Sequence, residues 1–276
     1  MRTIRLPGGA RVPVLGQGTW GMGEDPARRA AETTALRSGI DLGLTVIDTA
    51  EMYGNGATEQ FLGAALAGVR DRVFLVGKVL PQNAGSSRIA RACEASLRRL
   101  RTDRLDLYLL HWRGPVPLAE TVAGMEALVA AGKIAAWGVS NFDLADMDDL
   151  ARASGSGCAT NQILYNPTRR GPEFDLLPTL AARRIPAMAY SPIEQGRLPT
   201  KGVLSAVAER HGAGPYQVAL AWALRRPEIL AIPKAASVAH VRENAGAADL
   251  ALTDDDLQAI DAAFPAPTAP VPLAML

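Results

Sequence analysis

The chain has 276 residues, with 29 basic and 28 acidic side chains and a formal net charge of +1. This balance gives no sign of a nucleic-acid partner or of an anionic membrane surface as a partner. Because no apolar run reaches signal-peptide length at the N-terminus or the ~18 residues of a membrane span elsewhere, we expect a cytoplasmic protein.

Strand-like runs alternate with longer amphipathic stretches along most of the chain. A hairpin is predicted first, because residues 3–6 and 11–13 flank the turn signal Gly8-Gly9. The later alternation of β-branched or Leu-rich runs with amphipathic stretches is typical of βα units around a parallel sheet. Eight strands are predicted, at residues 15–20, 45–48, 73–78, 105–111, 135–140, 159–162, 186–190 and 229–233.

Helices are predicted between these strands and after the last one. Pro26 near the start of the first helix and Gly132 after the fourth suit helix termini. The last helix would be capped by Thr253 and carries acidic residues in its first turn. The predicted helices span residues 26–42, 59–68, 86–100, 117–131, 143–152, 176–184, 215–225 and 254–264.

Eight βα units without a dividing linker predict one domain over residues 1–276. The fold class is α/β, a (β/α)8 TIM barrel with an N-terminal β-hairpin and a C-terminal helix plus tail, and such barrels typically have about 250 residues. The tail, residues 266–276, is apolar and proline-rich. We expect it either to fold over the barrel mouth or to cover the outer face of the barrel.

One glycine motif suggests a different fold. Gly16, Gly18 and Gly21 have the spacing GxGxxG after a strand-like run, with Asp41 about 20 residues further on, as in a Rossmann dinucleotide site. In such a site the helix opens at the third glycine, so that its N-terminus faces the pyrophosphate. Here residues 22–25 intervene before a helix can start. Eight units rather than six are also predicted, so we favour the barrel.

Four groups that can ionise or move a proton close successive apolar runs. Asp48 ends the second predicted strand and Tyr53 follows it, Lys78 ends the third strand and His111 ends the fourth. A parallel barrel carries its chemistry at these strand ends. The residue types and their spacing resemble the catalytic tetrad of the aldo-keto reductases. The resemblance runs over nearly the whole chain.

The resemblance implies an enzyme that reduces a carbonyl with a nicotinamide hydride, without a metal. Tyr53 would donate the proton, although a free tyrosine with a pKa of ~10 is poorly matched to neutral pH. Before desolvation is counted, an ammonium about 4 Å away would lower that pKa by nearly three units at an effective dielectric of ~20, and Lys78 could supply it. Asp48 would hold Lys78 protonated, and His111 would donate a hydrogen bond to the substrate oxygen.

The same resemblance extends to a cofactor groove. Ser140, Asn141 and Gln162 match residues that bind the nicotinamide carboxamide, and Tyr190 matches the aromatic ring beside it. The residues that match the nicotinamide half are Gly18, Thr19, Trp20, Asp48, Ser140, Asn141, Gln162 and Tyr190. Those that match the phosphate and adenosine half are Ser191, Pro192, Ile193, Lys234, Ala235, His240, Glu243 and Asn244.

Two positions depart from the family pattern at the 2′-phosphate, where Lys234 is the matching cation. Many members have serine after this lysine and arginine six positions after it, whereas this chain has Ala235 and His240. An arginine grips a phosphate with two parallel bonds, and a histidine is a weaker, pH-dependent donor. We expect NADP(H) as cofactor, with NAD(H) possible.

The substrate pocket should be open and lined by aromatic side chains. Trp20, Tyr53, His111 and Trp112 match positions that line the family's substrate cavity, and the loop after His111 is short. Short loops favour small aldehydes, ketones and α-dicarbonyls over one bulky ligand. The pattern looks most like the short bacterial aldo-keto reductases associated with methylglyoxal reduction. The sequence carries no signal for an oligomeric state.

Other functions stay open at this point. A nicotinamide-binding regulatory or sensor subunit could share the fold with little turnover, and a barrel without cofactor could keep only the shape. The complete tetrad argues against the second, and the absence of a long charged or hydrophobic insertion argues against the first. Cys93 and Cys158, the only cysteines, lack a CxxC motif or a nearby histidine, so we interpret both as buried apolar residues rather than metal ligands.

Overall fold

The computed structural model describes residues 1–276, apart from the side chain of Ser86. The chain begins with an antiparallel hairpin, β1 (Thr3–Arg5) and β2 (Arg11–Pro13), in which Ile4 faces Val12. Both of these apolar side chains are buried. The strands that follow are β3 (Gln17–Gly18), β4 (Val46–Asp48), β5 (Phe74–Val79), β6 (Leu107–Leu110), β7 (Trp137–Ser140), β8 (Cys158–Leu164), β9 (Ala187–Tyr190) and β10 (Ile229–Ala231).

These eight strands form one parallel sheet in chain order, from β3 to β10. The sheet closes on itself, because Gly16 N–H donates to Ala231 O at 2.8 Å and Ala231 N–H donates to Val14 O at 2.9 Å. The predicted α/β barrel with its N-terminal hairpin is confirmed. The ends of the eight barrel strands differ from the predicted ends by at most two residues.

The glycine motif serves the barrel rather than a phosphate. A Cβ on Gly16 would lie 2.7 Å from Val46 O, and a Cβ on Gly18 would lie 2.8 Å from Ile232 O. Gly16 therefore allows the close approach of β4, and Gly18 allows the close approach of the chain after β10 at the seam where the barrel closes. The first helix opens only at Arg29, well beyond the third glycine, so the Rossmann interpretation does not apply.

Ten α-helices surround or follow the strands. They are α1 (Arg29–Asp41), α2 (Ala57–Ala65), α3 (Ser86–Leu100), α4 (Leu118–Ala130), α5 (Leu144–Arg152), α6 (Leu176–Ala182), α7 (Val203–His211), α8 (Pro215–Leu224), α9 (Val238–Gly246) and α10 (Asp254–Ala263). Two of them, α7 and α9, are missing from the predicted helices. The sequence of α7 does carry a signal, since its buried residues Leu204, Val207 and Ala208 follow helical spacing.

The first predicted helix begins three residues too early. Asp25 accepts hydrogen bonds at its side chain from Ala27 N–H, at 2.9 Å, and at its carbonyl from Arg28 N–H, at 3.1 Å. These bonds make a turn ahead of α1, so the helix starts after Arg28. The predicted cap of the last helix is confirmed, because Thr253 and Asp256 form a reciprocal capping box at the start of α10.

The tail returns to the carboxyl ends of the strands. Val271 approaches Gly171, where an added Cβ would lie 2.9 Å from the valine Cγ2. The backbone N–H of Leu276 then donates to Tyr190 Oη at 3.4 Å, at the end of β9. Of the two positions that the sequence left open, the tail thus takes the one at the barrel mouth.

The strands are buried on both faces, as expected for a parallel sheet covered by helices. Cys93 and Cys158 lie in this core, and burial raises the pKa of each thiol to about 12. The interpretation of both as buried residues is confirmed. Among the described residues, no helix is both long and apolar enough to cross a membrane.

Candidate active site

Lys78 is the centre of a buried hydrogen-bond cluster at the ends of β4 and β5. Its Nζ donates to Asp48 Oδ2 at 2.7 Å, to the carbonyl of Thr49 at 2.9 Å and to Tyr53 Oη at 3.1 Å. The lysine side chain is fully buried, and each of its three protons has an acceptor. Asp48 ends β4 and Lys78 lies in the neighbouring strand, so parallel pairing brings the two charges together.

The pKa of Lys78 is raised despite its burial. Burial favours the neutral amine, but the Asp48 carboxylate and the Tyr53 hydroxyl outweigh it and hold the pKa above the ordinary value. Lys78 is therefore an ammonium ion at neutral pH. A fully desolvated lysine stays protonated only because a carboxylate is paired with it.

The pKa of Tyr53 moves in the opposite direction from the one expected from sequence. Burial raises it above its ordinary value of 10.0, and the charge of Lys78 lowers it without cancelling the effect of burial. The expectation considered the ammonium and left out desolvation, which depends on packing that the sequence does not show. Tyr53 is thus a protonated phenol at neutral pH, beside a cation that can stabilise the phenolate formed when the proton leaves.

The second oxygen of Asp48 is also occupied. Gln162 in β8 donates from Nε2 to Asp48 Oδ1 at 2.7 Å, across the inside of the barrel. The same Nε2 lies 2.9 Å from Met188 Sδ, a contact that sequence reasoning missed. Because both carboxylate oxygens are held, Asp48 can present only one orientation to Lys78.

His111 completes the group as a neutral imidazole. Its ring is edge-on to the ring of Tyr53, with centroids 6.0 Å apart, and packs against Trp112 at 4.9 Å. Burial, followed by the charge of Lys78, lowers the pKa of His111 to about 3. Its buried Nδ1 has no hydrogen-bond partner among the described residues. The four tetrad residues predicted from sequence are therefore gathered at one place.

The residues predicted for the nicotinamide end lie next to this cluster. Asn141 accepts at Oδ1 from Tyr190 Oη, at 2.9 Å, and donates from Nδ2 to His111 O, at 3.1 Å. Ser140 Oγ donates to the carbonyl of Gln162 at 2.9 Å. Directly after β3, Thr19 Oγ1 donates to the carbonyl of Asp48 at 2.8 Å.

Two of the predicted cofactor residues have left-handed backbones. Asn141 has a φ of 58° and Ser191 a φ of 45°, in a region that serine rarely adopts. Both residues directly follow a strand of the barrel. Such strained positions cluster at functional sites, and here they turn the chain at the ends of β7 and β9. Pro192 and Ile193 continue the turn after Ser191.

The residues predicted for the adenosine end follow β10 and lie on α9. Ser237 caps this helix by accepting from His240 N–H, and the His240 side chain is exposed. Partial burial and the charge of nearby Arg28 lower the pKa of Lys234. A second cation thus acts on Lys234 from the start of α1, a source that sequence reasoning missed.

Of the remaining residues predicted for the adenosine end, Ala235 precedes α9, whereas Glu243 and Asn244 lie on it. Ala235 is buried directly after Lys234, and Asn244 is buried on α9. The carboxylate of Glu243 lies against Gly214, directly before α8, since a Cβ on that glycine would lie 2.3 Å from Glu243 Oε1.

Trp20 stands apart from the cluster. Its side chain is 57% exposed at the rim, so it forms no part of the packed group around Tyr53. Gly18 lies at the barrel seam, directly before Thr19. Sequence reasoning missed the contacts of Glu51 at this mouth and left the position of the tail, which ends at Leu276, undecided. The position of Glu51, two residues before Tyr53, was a signal that could have pointed to it. The composition of the tail does not specify which part of the barrel Leu276 contacts.

Comparison with known proteins agrees with this geometry. The family model for the aldo/keto reductase family matches residues 14–264. The chain is 50% identical to methylglyoxal reductase YeaE of Escherichia coli over 281 residues, covering 100% of this chain and 99% of that protein.

Two crystal structures of aldo/keto reductases from Klebsiella pneumoniae have the same fold. The one in complex with NADP and acetate has a TM-score of 0.97 at 52% identity and covers 99% of both chains. The one in complex with NADPH has a TM-score of 0.96 at 51% identity and covers 100% of this chain and 99% of that chain.

Proposed function

The chain belongs to the aldo/keto reductase family, and we propose that it uses NADPH to reduce small aldehydes, ketones and α-dicarbonyls to alcohols. One observation carries the proposal: the buried ammonium of Lys78 contacts both Asp48, at 2.7 Å, and the Tyr53 hydroxyl, at 3.1 Å. This arrangement joins a protonated acid to a fixed, buried positive charge.

Each member of the tetrad has one task in the proposed reaction. Bound NADPH supplies the hydride for the carbonyl carbon. Tyr53 donates its phenolic proton to the carbonyl oxygen as negative charge develops there. Lys78 stabilises the phenolate that remains, and Asp48 keeps Lys78 charged and in position. The neutral ring of His111 donates an N–H to the same oxygen and orients the substrate.

The residues around the tetrad fit a nicotinamide cofactor. Within the described part of the chain, Gln162 uses Nε2 as a donor and its Oε1 receives no hydrogen bond, so this oxygen can accept from a carboxamide NH2. The half-buried ring of Tyr190 stands at the mouth beside Asn141. Lys234 supplies a cation for the 2′-phosphate. The relatives that were crystallised with NADP and NADPH support the same choice of cofactor.

The proposed substrates are small because the loops around the mouth are short and aromatic groups line it. The connection from β6 to α4 is only residues 111–117, and Trp112 packs on His111 within it. The end of the tail at Leu276 covers part of the same opening. Methylglyoxal is the first compound to test, since the relative from Escherichia coli is a methylglyoxal reductase. The proposal places the reaction in the cytoplasm, where NADPH is available.

Two measurements on the purified protein test this function together. Quenching of tryptophan fluorescence by NADPH and by NADH gives the two dissociation constants, and loss of NADPH absorbance with methylglyoxal gives turnover. We expect tighter binding of NADPH and turnover within the ordinary enzyme range of about 1–10³ s⁻¹. Tight binding of NADPH without turnover on any small aldehyde or α-dicarbonyl would instead favour a regulatory or sensor protein on the same fold.

A further inference from the structure

Glu51 connects the segment that carries Tyr53 to the strand that carries Lys78. Its backbone N–H donates to Lys78 O at 3.3 Å. Its side-chain Oε1 accepts from the backbone N–H of Leu80 at 2.7 Å and from Asn83 Nδ2 at 3.0 Å. One residue thus contacts the chain on both sides of the end of β5. The side chain is half-buried, so these bonds are partly shielded from water.

The geometry of the parallel ladder explains why a side-chain acceptor is needed. Thr49 N–H donates to Val76 O at 2.9 Å, and Glu51 N–H donates to Lys78 O, so pairing continues beyond the end of β4. In a regular parallel ladder the next donor, Leu80 N–H, would bond to the backbone carbonyl of Glu51. Here the Glu51 carboxylate accepts that bond instead.

The backbone carbonyl of Glu51 cannot accept the hydrogen bond from Leu80 N–H, because the chain has already begun to turn. Tyr53 N–H donates to Ala50 O at 3.1 Å, which closes a turn around Glu51. This turn points the chain toward the short helix at Tyr53–Gly56 and brings the tyrosine back over Lys78. The position of Tyr53 therefore depends on how the turn is held against β5, and Glu51 is the side chain that holds it.

We propose that Glu51 is a positioning residue for the general acid, whose two side-chain hydrogen bonds keep Tyr53 within reach of Lys78. This inference rests on the proposed function, because it assumes that Tyr53 is the acid. Glu51 acts through the turn and has no contact with the reacting atoms. A carboxylate suits the task, since hydrogen bonds to an ionised acceptor are shorter and stronger than neutral ones.

The first test compares variants at Glu51 and its partner. A displacement of about 1 Å in a catalytic group can cost ~10² in rate, so we expect Glu51→Ala to lower kcat by about 10- to 100-fold. The Kd for NADPH should stay within about 2-fold, because no cofactor contact is lost. Glu51→Gln keeps an acceptor oxygen and should retain most of kcat. Asn83→Ala removes one of the two donors and should cause a smaller loss in the same direction. Glu209→Ala, which removes an exposed carboxylate on α7, is the matched control and should leave kcat unchanged.

The decisive test is a double-mutant cycle with Tyr53→Phe, measured as the single-turnover rate with NADPH bound. If Glu51 acts by positioning the tyrosine hydroxyl, Glu51→Ala should cost little once that hydroxyl is gone. The same fold-loss in both backgrounds would overturn the inference, as would a Glu51→Gln variant that is as slow as Glu51→Ala. Should Glu51→Ala fail to fold, the cycle is run with Asn83→Ala. Tyr53→Phe alone reports on the proposed function, since a rate equal to the wild type there would remove Tyr53 as the acid whatever Glu51 does.

Discussion

Tyr53 Oη lies 3.1 Å from Lys78 Nζ, and the lysine is fully buried. Because the ammonium is shielded from water, its charge acts on the phenol through a medium of lower dielectric than water. Burial still has the larger effect and holds the pKa of Tyr53 above its ordinary value. Tyr53 is thus kept protonated before the reaction, and Lys78 stabilises the phenolate once the proton has been transferred.

This balance predicts how kcat depends on pH. Because the pKa of Tyr53 lies above 10.0, the fraction of protonated acid is constant on the alkaline side of neutrality. We expect kcat for aldehyde reduction to be flat from about pH 7 to about pH 9, at saturating NADPH and substrate. An alkaline decline with a midpoint near neutrality would mean that Lys78 outweighs burial, and the assigned direction of the shift would be wrong.

Removal of the lysine should affect both catalysis and stability. Lys78→Met should lower kcat by at least ~10², since the phenolate loses its counter-charge. It also leaves the Asp48 carboxylate buried without its partner, which typically costs about 3–5 kcal/mol of unfolding free energy. The complete burial of Lys78 is the reason to expect this loss of stability, although the residue lies near the end of a strand.

A second variant separates these two effects. Lys78→Met combined with Asp48→Asn removes the unpaired charge and should recover much of the unfolding free energy in urea denaturation, while kcat stays low. The prediction fails if the double variant regains activity along with stability, because the charge of Lys78 would then not be needed for the reaction.

The neutral state of His111 predicts a loss of stability in acid. Its pKa is about 3 in the folded chain against 6.5 ordinarily, so below pH 6.5 the unfolded chain binds a proton that the folded chain does not. The stabilisation is complete above that pH and is lost as the pH falls toward 3. Between about pH 7 and about pH 5, His111→Gln should therefore lose about 2 kcal/mol less unfolding free energy than the wild type. His240→Gln, at an exposed position, is the control, and equal losses in all three proteins would rule out the assignment.

The choice of cofactor should depend on Lys234. Lys234→Ala should weaken NADPH binding by roughly 10- to 100-fold, which corresponds to about 1.5 to 3 kcal/mol for hydrogen bonds to a charged group, and leave NADH binding nearly unchanged. Arg242→Ala on α9 serves as a control for the loss of a cation from the same surface. If the ratio of the two dissociation constants is the same in Lys234→Ala as in the wild type, the 2′-phosphate is recognised elsewhere.

The barrel and the tetrad could be predicted because their signals are local. Asp48, Lys78 and His111 each follow an apolar run, and parallel strands gather their carboxyl ends at one mouth. The left-handed backbone of Ser191 could not be predicted, since serine rarely adopts this conformation and nothing in the local sequence specifies it. The role of Glu51 depends on where a turn interrupts a ladder, which composition and periodicity do not specify.

Single-turnover reduction of methylglyoxal by Tyr53→Phe, with NADPH bound beforehand, tests the central claim most directly. Removing a general acid typically costs ~10² or more, so we expect the rate of NADPH oxidation to fall by at least that factor while the Kd for NADPH stays within about 2-fold. A single-turnover rate equal to that of the wild-type protein would contradict the assignment of Tyr53 as the proton donor.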